Sequence, residues 1–264
     1  MSAALYFGTA GWSYADWEGR VYPRPRPARF NPLFFLSRLF EFVEVNMTFY
    51  TIPPRSLVQG WVDKTRMCPD FSFWIKAHQS FTHERRAGNE STRRFQACLL
   101  PLRRSGRLAG LLFQFPYSFT FSSASFSYLQ SLAGDFCEYP CAFEFRHRSW
   151  HHPDLLEYLG AVNGIWVNID QPVISHSLPL TATRTHAEIS YLRLHGRNYP
   201  SWFADRGRDE RYNYDYSAGE LQQLARTVLT LREKVQSLYI SGNNHYKGNA
   251  VKNLLSLKEL LKKI

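Results

Sequence analysis

A chain of 264 residues, 44% hydrophobic and 16% aromatic, carries enough apolar material for one large α/β domain or two small ones, which excludes a largely disordered chain. Lys and Arg number 32 against 22 Asp and Glu, a formal charge of +10; this favours an anionic partner such as a phosphorylated metabolite, nucleic acid or an acidic surface, or else marks an inert basic surface. No apolar run approaches the ~20 residues of a membrane span. The start Met1-Ser2-Ala3-Ala4 lacks the basic and apolar regions of a signal peptide, and Cys68, Cys98, Cys137 and Cys141 show no C-x-x-C spacing, so a soluble cytoplasmic protein with reduced thiols and no membrane contact is expected.

In chain order, a strand predicted over 5–9 is followed by an extended Pro- and Arg-rich segment at 19–30 and a helix over 32–40, with Asn31 as its cap and Pro32 in its first turn. Strand 42–45, helix 54–64, strand 73–77 and helix 92–104 come next. The alternation continues through strand 111–115, helix 123–132, strand 142–145, helix 153–159 and strand 165–169. Strand 189–194 leads into a long aromatic, arginine-rich segment at 196–216, the length of a lid or binding loop. Helix 221–235 follows, preceded by Ser217 and Glu220 in capping-box spacing, then strand 238–240 and a closing helix 249–261. Strand–helix alternation argues for a parallel sheet. Eight strands filling the chain favour a single-domain TIM-like (β/α)8 barrel, residues 1–264, over a doubly wound sheet.

Five strand runs end in polar residues: Glu44 and Asn46, Lys76 and His78, Gln114, Glu144 with Arg146 and His147, and Arg193 with His195. Unpaired burial of such groups is costly, so their recurrence at one end of successive strands points to a shared cleft. The strand period of two puts Glu44 and Asn46 on one face and likewise Glu144 and Arg146. Glu144 and His195, supported by Glu44 and His147, are the candidates for acid–base catalysis; the alternative is that Glu144 forms an internal ion pair with Arg146, Arg193 or Lys76. Lys76, Arg146, Arg193 and Arg197 suit an anion clamp, because guanidinium grips carboxylate or phosphate bidentately and lysine adds a point charge. Asn46, Gln114, Asn243 and Asn244 would orient a polar substrate. Trp12 and Tyr14, just past the first strand, lead an aromatic set with Trp17, Tyr50, Trp150, Trp202, Tyr212, Tyr214 and Tyr216 that either stacks a sugar or base or packs under loops.

Three further features bear on the ligand. Gly196, Gly248 and Asn249 fall where barrels often bind phosphate, after strands seven and eight and at a helix start. Asp170 ends the sixth strand as a general base or a turn cap. Glu144-x-x-His147 with Arg193-x-His195 would allow a divalent metal, although the cations around them oppose a bare ion. The doublets Arg85-Arg86, Arg93-Arg94 and Arg103-Arg104 make a basic flank that supports the alternative of a noncatalytic nucleic-acid-binding protein. Walker, dinucleotide, H-E-x-x-H and G-x-S-x-G motifs are absent from the sequence. No cofactor is therefore expected, and hydrolysis of a phosphate-bearing or sugar- or nucleotide-like substrate is the favoured reaction.

The ordered blocks GTAGWSY (8–14), EVNMTFY (44–50), FWIKAHQSFTH (73–83), LLFQFP (111–116), FEFRHRSW (143–150), YLRLHGR (191–197), RYNYDY (211–216) and GNNHYKGNAVKNL (242–254) resemble the DUF72, or YecE-like, family across essentially the whole chain. The resemblance implies a TIM-barrel-like fold and carries no established reaction with it. Ala10 stands where a serine is common in that family's opening motif, and Gly242 where an aromatic often precedes the Asn pair; each bears on a local contact rather than on membership.

Overall fold

The computed structural model describes residues 3–86, 88–201 and 210–264. Strand β1 (Ala4–Ala10) is joined by helix α1 (Pro32–Ser37) to β2 (Phe42–Val45), and α2 (Arg55–Lys64) leads to β3 (Ser72–Lys76). Short α3 (Gln79–Thr82), α4 (Asn89–Cys98) and α5 (Leu100–Arg104) precede β4 (Leu108–Gln114). Then come α6 (Ser123–Asp135), β5 (Cys141–Glu144), α7 (Pro153–Ala161), β6 (Ile165–Asp170) and β7 (Ile189–Leu194). The chain ends with α8 (Ala218–Arg232), β8 (Ser237–Gly242) and α9 (Asn249–Lys262). Neighbouring strands are parallel, and β8 pairs back onto β1, closing an eight-strand barrel in sequence order.

The expected strands are all present, with ends shifted by a few residues. Asn31 caps α1 by accepting from Leu33 and Phe34, and Ser217 with Glu220 forms the capping box of α8. The helix expected over 92–104 is instead α4 and α5, because Pro101 has no N–H to continue a ladder and sits in the first turn of a new helix. Helix α3 was not anticipated; His78 caps it by accepting from Ser80 N–H. Among the described residues no helix is long and apolar enough to cross a membrane, and Cys68, Cys98, Cys137 and Cys141 are free thiols.

Register decides what fills the barrel. Trp74 on β3 meets Tyr191 on β7 at 4.7 Å between ring centroids, and Phe42 meets Tyr239 at 5.3 Å, so one alternate set of side chains crosses the interior. Tyr6 stacks on Tyr239 in the same layer. Gly110 gives this layer its room, since a Cβ there would stand 2.5 Å from the Trp74 ring. Trp74 and Tyr191 are fully buried, and burying a large apolar side chain stabilises the fold by about 1.5–3 kcal/mol. With the N-terminal end plugged by rings, the same face of β2, β3, β4, β5, β7 and β8 delivers Glu44, Lys76, Gln114, Glu144, Arg193 and Ser241 further up the barrel. Outside, apolar residues of α8 and α9, among them Leu224, Val228, Leu254 and Leu257, pack in one cluster with Leu192, Leu194, Leu238 and Ile240.

Candidate functional site

Above the aromatic plug lies a layer of buried charge. Arg193 grips Glu44 bidentately along one guanidinium edge, Nε to Oε2 at 2.9 Å and Nη2 to Oε1 at 2.5 Å, and its Nη1 donates to Glu144 Oε2. Tyr191 and Ser241 hydroxyls donate to Glu44 Oε2 at 2.9 and 3.1 Å. Glu144 Oε1 is ion-paired with Arg146, 2.7 Å from its Nε, and lies 3.3 Å from His195 Nε2. Both carboxylates are 0% exposed and Arg193 is 1% exposed. Ions so deep are tolerated only when paired, and each carboxylate here is ion-paired and accepts at least one hydrogen bond, with side chains from four strands and the loop ends beyond them.

These partners set the titration of the layer. Burial works against the Glu144 charge, but Arg193, Arg146 and His195 hold its carboxyl well below the usual range. Burial likewise opposes the Arg193 charge, while Glu144 and Glu44 raise its pKa above that of an ordinary arginine. His195 is pushed down to about 3, by burial first and by Arg146 next, so its ring is neutral at physiological pH. Asn243 Nδ2 faces His195 Nδ1 at 2.8 Å, which places the ring proton on Nε2, toward Glu144. The ion pairing of Glu144 with Arg146 and Arg193, the alternative read from the sequence, is thus present, whereas Lys76 bonds elsewhere.

Two cavities open above this floor and share Tyr50, Lys76, Gln114, Arg146 and Tyr212. The outer, about 320 Å³, extends to Phe49, His83, Tyr117, Gln171 and Arg211. The inner, about 130 Å³, reaches Tyr14, Asn46, Arg193, Asn243 and His245. No carboxylate lines either cavity among the described residues. Lys76 Nζ donates to Gln114 Oε1 at 2.9 Å and lies 4.3 Å from the centre of the Phe49 ring. Burial, reinforced by Arg193 and only partly offset by Glu144 and Glu44, brings the Lys76 amine down to about 7. His83 falls to about 4 through burial and the nearby Lys76 and Arg146 charges. Arg146 is fixed from two sides, by Glu144 at Nε and by Gln171 Oε1 at 3.0 Å from Nη1. Arg211 Nε and Asn46 Oδ1 are buried without a hydrogen-bond partner among the described residues.

Other candidates fall outside these two linings. His147 caps the turn at 148–150, accepting from Ser149 N–H, and its ring lies 5.4 Å from that of Tyr117. Arg197 binds Asp170 at 2.8 Å and Glu220 at 3.4 Å, while Tyr216 also donates to Asp170; these four residues tie the end of β6 to the start of α8 and the segment before it. Asn244 donates to Tyr214 O and Asn253 Oδ1, bracing α9. Trp12 meets Trp61 edge-on in an adjoining apolar cleft of about 430 Å³ that also includes Tyr14 and Asn46. Trp17 and Trp150 are core residues, and Trp202 lies outside the described residues. At the expected phosphate position the chain supplies its own anion: Asp16 accepts from Lys247 N–H at 2.6 Å, and Gly248 packs against Val21. Among the described residues no three His, Cys, Asp or Glu side chains gather as a metal ligand set; Glu144 is committed to arginines, and His147 to its turn.

The cavities also recruit residues that strand-end reasoning passed over: Phe49, His83, Tyr117, Gln171, Arg211 and His245. Most stand inside motif blocks, but on turns beyond the strand ends. His245 stacks on Tyr14 at 4.4 Å, linking the loops after β8 and β1.

The comparisons with known proteins agree with this architecture. The family model described as Protein of unknown function DUF72 matches residues 6–264. The UPF0759 protein YunF of Bacillus subtilis (strain 168) is 32% identical over 273 residues, covering 97% of this chain and 94% of that protein. A DUF72 family protein (TM1631) from Thermotoga maritima MSB8, known as a crystal structure, is 36% identical with a TM-score of 0.86 over 98% of this chain and 99% of its own. A DUF72 family protein (EF0366) from Enterococcus faecalis V583 is 24% identical, with a TM-score of 0.86 over 98% and 96% of the two chains, a likeness of fold alone. With the family model matched over nearly its whole length and a relative above 30% identity, this chain belongs to the DUF72 family.

Proposed function

We propose that the C-terminal mouth of the barrel binds a small anionic substrate and that the protein is an enzyme acting on it. One observation carries this reading: Lys76, Arg146, Arg193 and Arg211 line the two cavities, while the only carboxylates beneath them among the described residues, Glu44 and Glu144, are consumed by Arg193 and Arg146. The space therefore carries an excess of positive charge, focused between low-dielectric walls, which attracts an anion. Arg146, held by Glu144 and Gln171, and Arg211, whose Nε has no hydrogen-bond partner among the described residues, would take the charge. Gln114 and Asn46 would orient the rest of the molecule.

The acid–base role expected of Glu144 and His195 moves to Lys76 in this reading. A carboxylate with a strongly depressed pKa, gripped by two arginines, neither donates nor accepts a proton readily near neutrality. A lysine near 7 does both. The hydrolytic reaction expected from the sequence rests on missing cofactor motifs, and the cavity adds nothing specific to it. The test is calorimetric titration of the full chain with orthophosphate and with pyruvate, at low salt. Saturable binding that weakens about 10-fold or more in Arg146→Met or Arg211→Met is expected, the size of one lost charged hydrogen bond. Binding unchanged in both variants, or none in the parent protein, would overturn the reading.

A further inference from the structure

The arrangement around Lys76 differs from that of the lysines held in ion pairs. Lys252, Lys258 and Lys262 are each paired with a carboxylate, Asp215, Glu41 and Glu259 respectively. Lys76 Nζ instead has a neutral acceptor, Gln114 Oε1. That amide is itself locked, because Gln114 Nε2 donates to Phe115 O at 2.6 Å, so its oxygen is the end turned to the amine. The Phe49 ring covers another side of Nζ, and the half-buried lysine opens onto both cavities. Tyr50 and Tyr212 line the same two cavities.

We propose that Lys76 is an imine-forming nucleophile for a small anionic aldehyde or ketone, an oxo acid or a phosphorylated carbonyl compound, whose charge is held by Arg146 and Arg211. The proposal rests on the anion-pocket reading above and names its substrate class. An amine needs three things for this chemistry: a free lone pair, a counter-charge that fixes the substrate, and a proton donor for the departing oxygen. Desolvation and Arg193 supply the first, leaving about half of the amine as free base at neutral pH, against roughly one part in a few thousand for an ordinary lysine. Arg146 and Arg211 supply the second, and Tyr50 or Tyr212 the third.

The step balances without an oxidant or reductant. Nζ attacks the carbonyl carbon, and the C–O π pair moves to oxygen, which takes a proton. The nitrogen loses a proton, giving a neutral carbinolamine. Protonation of its hydroxyl releases water as the C=N bond forms, and the resulting iminium is an electron sink next to the substrate's α-carbon. Hydrolysis of the iminium returns the amine.

The experiment is reductive trapping on the full chain at pH 7. Protein is incubated with glyoxylate or with dihydroxyacetone phosphate and sodium cyanoborohydride, then digested and mapped by mass spectrometry. Preferential modification of Lys76 over every other lysine is expected with at least one probe, and the faster probe identifies whether carboxylate or phosphate is the favoured charge. Orthophosphate should suppress the labelling, Lys76→Arg should abolish it, and Arg146→Met or Arg211→Met should slow it about 10-fold or more. Neutral propionaldehyde should show no such preference. Labelling spread evenly over surface lysines, while calorimetry still detects orthophosphate, would overturn the imine and leave the anion pocket standing. If orthophosphate and pyruvate also fail to bind, both readings fall.

Discussion

Replacing Arg193 by methionine removes the guanidinium that bonds both Glu44 and Glu144 while keeping a long unbranched side chain in the barrel. Glu44 would retain the Tyr191 and Ser241 hydroxyls, and Glu144 would retain Arg146. Breaking a buried ion pair from one side costs about 3–5 kcal/mol, which for a chain of this size corresponds to a fall in Tm of roughly 6–20 °C. The pH dependence is the sharper signature. In the parent protein the Glu144 carboxyl is held well below its ordinary value, so its contribution is complete above the unfolded range near ~4.3 and is lost only as pH falls through the folded value. Without Arg193, the burial that opposes the Glu144 charge is offset by fewer partners and its folded pKa rises, so the variant has less of this contribution at neutral pH. The gap between parent and variant should therefore be widest at pH 7–8 and shrink towards pH ~4. Urea melts followed by tryptophan fluorescence across this range measure it. A loss below ~1 kcal/mol, or a gap independent of pH, would refute the charge layer as described.

Lys76→Met tests the amine through stability. Because the folded pKa of about 7 lies below the unfolded one, the cost of burying the ammonium is full below about pH 7 and fades as pH rises towards the ordinary lysine range. The variant should melt higher than the parent at pH 6 and converge with it near pH ~10; scanning calorimetry showing equal Tm at pH 6 would contradict this. Gly110→Ala drives a methyl to 2.5 Å from the Trp74 ring and 2.7 Å from Pro140 O, and should cost about 1–3 kcal/mol or more in urea titrations; a neutral effect would mean that the aromatic layer is loosely packed. The triple charge swap Arg86→Glu, Arg94→Glu and Arg104→Glu should weaken salt-dependent binding of single-stranded DNA, measured by fluorescence anisotropy, while leaving orthophosphate binding intact. Loss of orthophosphate binding in that variant would assign the anion to the flank instead of the barrel mouth.

The fold was legible because its signals are local. Continuous apolar strands such as Phe42–Val45, the Asn31 cap and the Ser217–Glu220 box each act over a few residues. Pro101 divided a helix that periodicity had joined. The strand-end polar residues mark the same barrel end as the candidate site, but their contacts depend on partners distant in sequence. Glu44 and Glu144 look alike as strand-end carboxylates, and both turn out to be counter-ions of Arg193, 149 and 49 residues away. Arg197 and Asn244 carry the same chemistry as Arg146 and Asn46, yet Asp170 and Asn253 hold them in loop contacts. Arg193 lies on the strand face that crosses the interior and His195 follows directly past the end of β7, buried near Glu144, whereas His147 lies further past the end of β5, in a turn that it caps. His83, Arg211 and His245 sit on turns beyond the strand ends, where a strand period no longer predicts orientation.

The most direct test of the cationic pocket is the titration of the Lys76 amine by competitive acetylation and mass spectrometry, with and without orthophosphate. The structure predicts half-neutralisation near pH 7 in the free protein and a clear upward displacement when the anion binds, because a neighbouring negative charge favours the ammonium. A Lys76 that titrates near ~10.4 like an ordinary surface lysine, unmoved by orthophosphate, would contradict it.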